Sequence, residues 1–173
     1  ARSIVVGTNR GCAVMGDGSV RCWGNNFATR SGWSGASAGE LTAEVAAGIA
    51  GVRSVALTWQ ENCAAMTDGS VTCWGPRTVV RSRQAGPVDP PRKLALRDVT
   101  QISGAHMHFC ALVKDGTVQC WGDNRVGQLA DKPSPSDDTR IFPVAGLNDA
   151  VAITSGPSSS RARSPTRRRA RGA

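Results

Sequence analysis

Tyrosine is absent from the 173 residues, and only two histidines and three phenylalanines occur. With two imidazoles, general acid–base chemistry has few players. No apolar run approaches the roughly 18–20 residues that a membrane helix needs. The opening Ala1-Arg2-Ser3-Ile4-Val5-Val6 has no initiator methionine and no signal-peptide apolar core. Any export signal is therefore expected outside the sequence. No Ser/His/Asp set, phosphate loop or paired carboxylates stands in a convincing context. The chain is expected to be no enzyme and to need no cofactor. Acidic residues are missing from the end: the last thirteen residues hold six arginines (Arg161, Arg163, Arg167, Arg168, Arg169 and Arg171) and no carboxylate. The net charge of +8 thus comes mostly from the tail, and the body up to Gly156 carries +2. A high isoelectric point says nothing about the folded part.

What is present is repetition. Residues 11–24 read GCAVMGDGSVRCWG, residues 62–75 read NCAAMTDGSVTCWG and residues 109–122 read FCALVKDGTVQCWG. Each fits C-A-x-x-x-D-G-[ST]-V-x-C-W-G. Repeats of this length mark stacked supersecondary units. A weaker apolar strand precedes each core: Ser3–Val6, Ser54–Leu57 and Gln101–Gly104. A β-branched residue stands eight positions before each first cysteine: Ile4, Val55 and Ile102. A fourth such strand begins at Val151-Ala152-Ile153-Thr154. Its cysteine should fall at position 161, where Arg161 stands, and the pattern stops at about Gly156.

Asp-Gly between two alternating apolar runs predicts a β-hairpin. A three-residue loop centred on Asp17 puts Gly18 where a positive φ is wanted, and Gly69 and Gly116 repeat it. That centring sets Val14 opposite Val20 and Cys12 opposite Cys22. It likewise opposes Cys63 to Cys73 and Cys110 to Cys120. Opposed residues have Cα atoms about 4.5–5.5 Å apart, within reach of a disulfide. Three local disulfides are the favoured pairing, and they imply an oxidising compartment. Six buried reduced thiols in a cytosolic protein are the competing reading. The Cys-x9-Cys spacing lacks the C-x2-C knuckle of usual zinc sites. His106 and His108 form His-x-His-x-Cys with Cys110, but no further members of a four-ligand shell accompany them, so no metal site is assigned.

The unit resembles the repeat of the regulator of chromosome condensation family, in its cysteine-bearing bacterial form. The third copy carries the resemblance best, through His108-Phe109-Cys110-Ala111-Leu112, Asp115-Gly116-Thr117-Val118, Cys120-Trp121-Gly122-Asp123-Asn124 and Gly127-Gln128-Leu129. The segments Ala47–Val52 and Pro143–Leu147 are similar to the family's lead into the next strand. The first two copies depart after Cys-Trp-Gly, and Ala130 replaces the usual glycine in the third. The resemblance implies an all-β fold of β-propeller blades, with four strands in each. Three repeats plus the start of a fourth make an incomplete propeller of the seven-bladed type. Residues 1–155 are expected to form this partial propeller, with cores 11–24, 62–75 and 109–122. Residues 156–173 are expected to be a disordered Arg-rich tail, having little apolar to bury.

Trp23, Trp74 and Trp121 are repeat positions and read as blade packing, whereas Trp33 and Trp59 are not. The binding candidates are Trp33, in a Gly/Ser-rich loop, and Phe27, Arg30, Arg77 and Arg81, in the departing segments. A loop tryptophan is a fair anchor, although packing under the loop competes. The expected function is a secreted or cell-surface module that binds a protein partner or cell-surface ligand through rim loops, without catalysis; a periplasmic location fits too. Alternatives are a guanine-nucleotide exchange factor acting on a small GTPase, which the resemblance implies, or a non-functional truncated fragment. A hydrolase or lyase on the same scaffold would need a catalytic cluster that the sequence does not show. A nucleic-acid partner is expected only if the Arg-rich tail is genuine rather than the product of a lost reading frame.

Overall fold

A computed structural model describes residues 1–7, 10–24, 40–45, 49–59, 61–75, 91–130, 132–133, 138–156 and 159–165. Every regular element among them is a β-strand. β1 (Ser3–Val6), β2 (Arg10–Val14), β3 (Val20–Gly24) and β4 (Glu40–Val45) form one antiparallel sheet in chain order. β5 (Val52–Leu57), β6 (Asn62–Met66), β7 (Val71–Trp74) and β8 (Arg92–Lys93) form the second. β9 (Val99–Ala105), β10 (His108–Val113), β11 (Val118–Gly122) and β12 (Asp138–Pro143) form the third. β13 (Ala152–Gly156) and β14 (Ser159–Arg163) add a hairpin.

The turn chemistry explains the central hairpins. Gly18, Gly69 and Gly116 have φ values of 81°, 82° and 86°, the left-handed region that closes a three-residue hairpin loop. Asp17 Oδ1 accepts from the Ser19 N–H at 2.9 Å and the Ser19 hydroxyl at 2.7 Å. Asp68 with Ser70, and Asp115 with Thr117, repeat this. The resulting register pairs Cys12 with Cys22, Cys63 with Cys73 and Cys110 with Cys120. Their sulfurs lie at disulfide distance, 2.09, 2.04 and 2.07 Å apart.

The turn glycine has a second task. Gly18 O accepts from Val52 N–H at 3.0 Å, Gly69 O from Val99 N–H at 2.9 Å and Gly116 O from Ala150 N–H at 3.0 Å. Each tight turn thus docks on the start of the next blade. A Cβ on Gly116 would lie 2.7 Å from Asn148 O, so backbone approach as well as φ excludes a side chain there.

The core lies between blades rather than within one. The Cys12, Val14, Val20 and Cys22 face of the first blade packs on Val55, Leu57, Ala64 and Trp74 of the second. Cys63, Ala65, Val71 and Cys73 of the second pack on Ile102, Phe109, Ala111 and Trp121 of the third. Cys110, Leu112, Val118 and Cys120 then meet Ile153 and Ala162 of the fourth. One face of each blade presents the cysteine pair, and the other presents a β-branched residue and an alanine to receive it. Repeat stability of this kind resides in the neighbour interfaces.

The structure corrects the expectation for the tail. Ser159–Arg163 is a strand, with Ile153 opposite Ala162 and Thr154 opposite Arg161. Strand addition needs backbone groups on an open edge and a small residue at the packed position. β13 supplies the first and Ala162 the second. Residues 166–173 lie outside the described residues.

Candidate interaction surface

Antiparallel chain order sends the connections to two ends of the sheets. The tight Asp-Gly turns and the blade-to-blade linkers occupy one end. The first-to-second-strand and third-to-fourth-strand connections leave from the other, here called the loop end.

At the tight-turn end the repeated carboxylates are structural. Hydrogen bonds from Ser19, Ser70 and Thr117 hold Asp17, Asp68 and Asp115 below the usual carboxylate range. A carboxylate kept ionised and occupied by its own turn is no proton shuttle.

The loop end holds the unusual side chains. Trp59 is 57% exposed, although its backbone N–H donates to His106 O at 2.7 Å. The two rings meet across the blades, with centroids 4.6 Å apart and planes inclined by 59°. His106, in the β9–β10 connection, has a φ of 50°, in the left-handed region. The Trp59 loop is braced from beneath. Thr58 Oγ1 donates to Glu61 O at 2.9 Å and accepts from Glu61 N–H at 3.2 Å. Arg10 of the first blade, buried, donates to Thr58 O and to Glu61 O. Burial lowers the Arg10 pKa to about 10, which leaves the guanidinium charged at neutral pH. Glu61 in turn binds Arg92 at 2.7 Å. A large exposed aromatic on a loop tied to a rigid neighbour is the kind of anchor that binding surfaces use.

Further out, Asp123 pairs with Arg125 at 2.8 Å, which draws its pKa down. Asn124 folds the following segment by accepting from Leu129 N–H at 3.0 Å and donating to Lys132 O at 2.9 Å. Leu129 is thereby fully buried. Ala130 has a φ of 58°, a conformation that favours glycine, so the departure at this position carries backbone strain.

The two histidines do not converge. His108 is buried and its Nε2 meets Ser160 Oγ at 2.9 Å, across the seam to β14. Burial lowers its pKa, with Asp123 opposing and His106 assisting. Glu61 lies within 4.8 Å of the Cys63 and Cys73 sulfurs. Those sulfurs are bonded to each other and the Glu61 carboxylate to Arg92, so the group offers no free metal ligands. The candidates Phe27, Arg30, Trp33, Arg77 and Arg81 lie outside the described residues. Their segments leave from Gly24 and Gly75, at the loop end. The Trp59–His106 pair is not among the binding residues expected from the sequence. The available signal was that each stands four residues before the first cysteine of its repeat.

Successive four-stranded meanders packed through their first strands are the blades of a β-propeller. A family model described as the regulator of chromosome condensation (RCC1) repeat matches residues 1–28 and 99–128. Among solved structures, Prp20p from Saccharomyces cerevisiae, described with its binding to Gsp1p and histones, is similar with a TM-score of 0.71 and 18% identity, over 92% of this chain and 42% of that one. Human WBSCR16 is similar with a TM-score of 0.70 and 20% identity, over 94% of this chain and 45% of that one. The yeast protein bound to Kap60 gives a TM-score of 0.70 and 18% identity, over 91% of this chain and 40% of that one. The chain therefore spans less than half the length of each of these three structures. No curated protein sequence matches it.

Proposed function

We propose that this chain is a non-enzymatic binding module that takes a protein partner at the loop end, in an extracellular or cell-surface setting. The observation that carries the reading is Trp59, exposed on His106 and braced by Arg10 across the blade seam. Long connections leave from the same end, a usual place for recognition on a rigid repeat scaffold. The three cysteine pairs at disulfide distance are compatible with an oxidising compartment. A photo-crosslinking residue at position 59 should label a protein partner in the protein's native setting, and one at position 17, at the opposite end, should not. Labelling from position 17 alone would sink the reading. Protein recovered from that setting should contain no alkylatable thiol, and six would sink the compartment.

A second reading, that these blades belong to a larger ring, has its own observation. The register position of Val55, Ile102 and Ile153 is 7%, 4% and 6% exposed, yet Ile4 is 63% exposed. Val6 is 74% exposed where its counterpart Leu57 is 4%. The first blade offers the receiving face that its neighbours bury. Fusing a further repeat ahead of Ala1 should raise the melting temperature by several degrees. An unchanged melting temperature would count against this second reading.

A further inference from the structure

In each complete blade the second strand is flanked by a third: β3 beside β2, β7 beside β6 and β11 beside β10. In the fourth, no strand among the described residues pairs with the outer edge of β14. Val151 N–H donates to Arg163 O at 2.8 Å. Backbone groups alternate along a strand, so those of Arg161 and Arg163 turn towards β13. Those of Ser160 and Ala162 turn towards the open edge. Arg161 stands opposite Thr154, the register of Cys110 opposite Ser103. Arg161 and Arg163, two positions apart and both exposed, therefore share the face that carries the cysteine pair in the other blades.

We propose that the edge of β14 accepts an extended acidic segment of a partner protein as the antiparallel third strand of the fourth blade. The N–H and C=O groups of Ser160 and Ala162 supply the ladder, and carboxylates two residues apart stand opposite Arg161 and Arg163. This is recognition by strand addition, in which the backbone gives affinity and alternate side chains give specificity. The chain's own tail has the wrong charge for that place. In the blade register, first and second cysteines are ten residues apart, and Leu112 pairs with Val118. The same register would set Arg171 opposite Arg161 and Arg169 opposite Arg163. Like charges directly opposed disfavour pairing, and opposite charges favour it. A nucleic acid would meet the charge, but it brings no peptide groups to continue the ladder.

The proposal does not depend on the loop-end reading, because it uses different residues, and Trp59→Ala serves as the control that separates the two. The probe is a fluorescein-labelled peptide, Gly-Val-Glu-Val-Glu-Val-Gly, titrated onto the full chain by anisotropy. It should bind, slow hydrogen exchange at the amides of Ser160 and Ala162, and be unaffected by Trp59→Ala. Arg161→Glu with Arg163→Glu should weaken it by roughly two- to thirty-fold and admit the matching lysine peptide. N-methylation of the edge-facing peptide amides should abolish binding with no change to the protein. Undiminished binding of the N-methylated peptide would reduce the site to simple charge attraction and overturn the proposal. So would stronger protection of the same two amides by single-stranded oligothymidylate.

Discussion

The third blade and the fourth hairpin start alike and finish differently. Ile102 and Ile153 occupy the same register position and are equally buried. Each packs on the cysteine-bearing face of the blade before it. Their second strands diverge: Phe109-Cys110-Ala111-Leu112 in one, Ser160-Arg161-Ala162-Arg163 in the other. The alanine is retained and the two forward-facing apolar residues are replaced by arginines. A blade thus has a receiving face, which needs only a β-branched residue and an alanine, and a donating face, which needs the cysteine pair. The fourth hairpin keeps the first face and lacks the second.

The largest expected effect tests the receiving face. Ile102→Ala should cost about 2–4 kcal/mol, because it empties the seam between the second and third blades. Ile4→Ala, at the equivalent exposed position, should stay within about 0.5 kcal/mol. Chemical denaturation of both variants gives the contrast, and equal losses would show that the first blade's face is buried in solution. Next comes the donating face. Cys110→Ala with Cys120→Ala should cost about 2–3 kcal/mol as the short closed loop is released. The loss should appear as a lower thermal midpoint, and treating the parent chain with reductant, which opens all three pairs, should lower the midpoint further.

A smaller effect belongs to the tight turns. Gly116→Ala forces a side chain into a left-handed φ and against Asn148 O, for about 1–3 kcal/mol. Gly16→Ala, two residues before Gly18 in the first turn and with nothing within 4 Å, should be close to neutral. Thermal unfolding of the pair separates a backbone requirement from a mere preference. The smallest effect concerns pH. Burial keeps folded His108 below its unfolded pKa of about 6.5. Above that value both states are neutral and the seam to Ser160 is fully in place. As pH falls below it, the unfolded chain takes up the proton first, so stability declines until the folded pKa is passed. The urea midpoint should therefore drop between pH 7.5 and pH 5 by more in the parent than in His108→Gln. Arg10, at the seam between the first two blades, stays charged throughout this range and should add no such dependence.

Much of the blade was legible in the sequence. Asp-Gly turns, β-branched alternation and cysteines ten residues apart fix the hairpin register locally, through turn chemistry and the period of two. The repeat alignment also places Arg161 at the cysteine position of the fourth unit. The site was less legible. The sequence candidates sit in the segments that depart from the repeat, and these lie outside the described residues. The Trp59–His106 pair joins two residues 47 positions apart; the repeat alignment puts them at equivalent places, but their contact depends on how successive blades pack.

The amino-acid sequence by itself determined the repeat, the turn, the opposed cysteines and the number of receiving faces, because each depends on neighbours within about a dozen residues. Only the tertiary structure decided which positions of each repeat are covered. Ile4 and Ile102 read identically along the chain, and only the presence of a preceding blade buries one and leaves the other in water. The same holds for Ser159–Arg163, whose composition argues against order. It becomes a strand because β13, already docked on the third blade, offers it a row of backbone groups that water would otherwise have to satisfy.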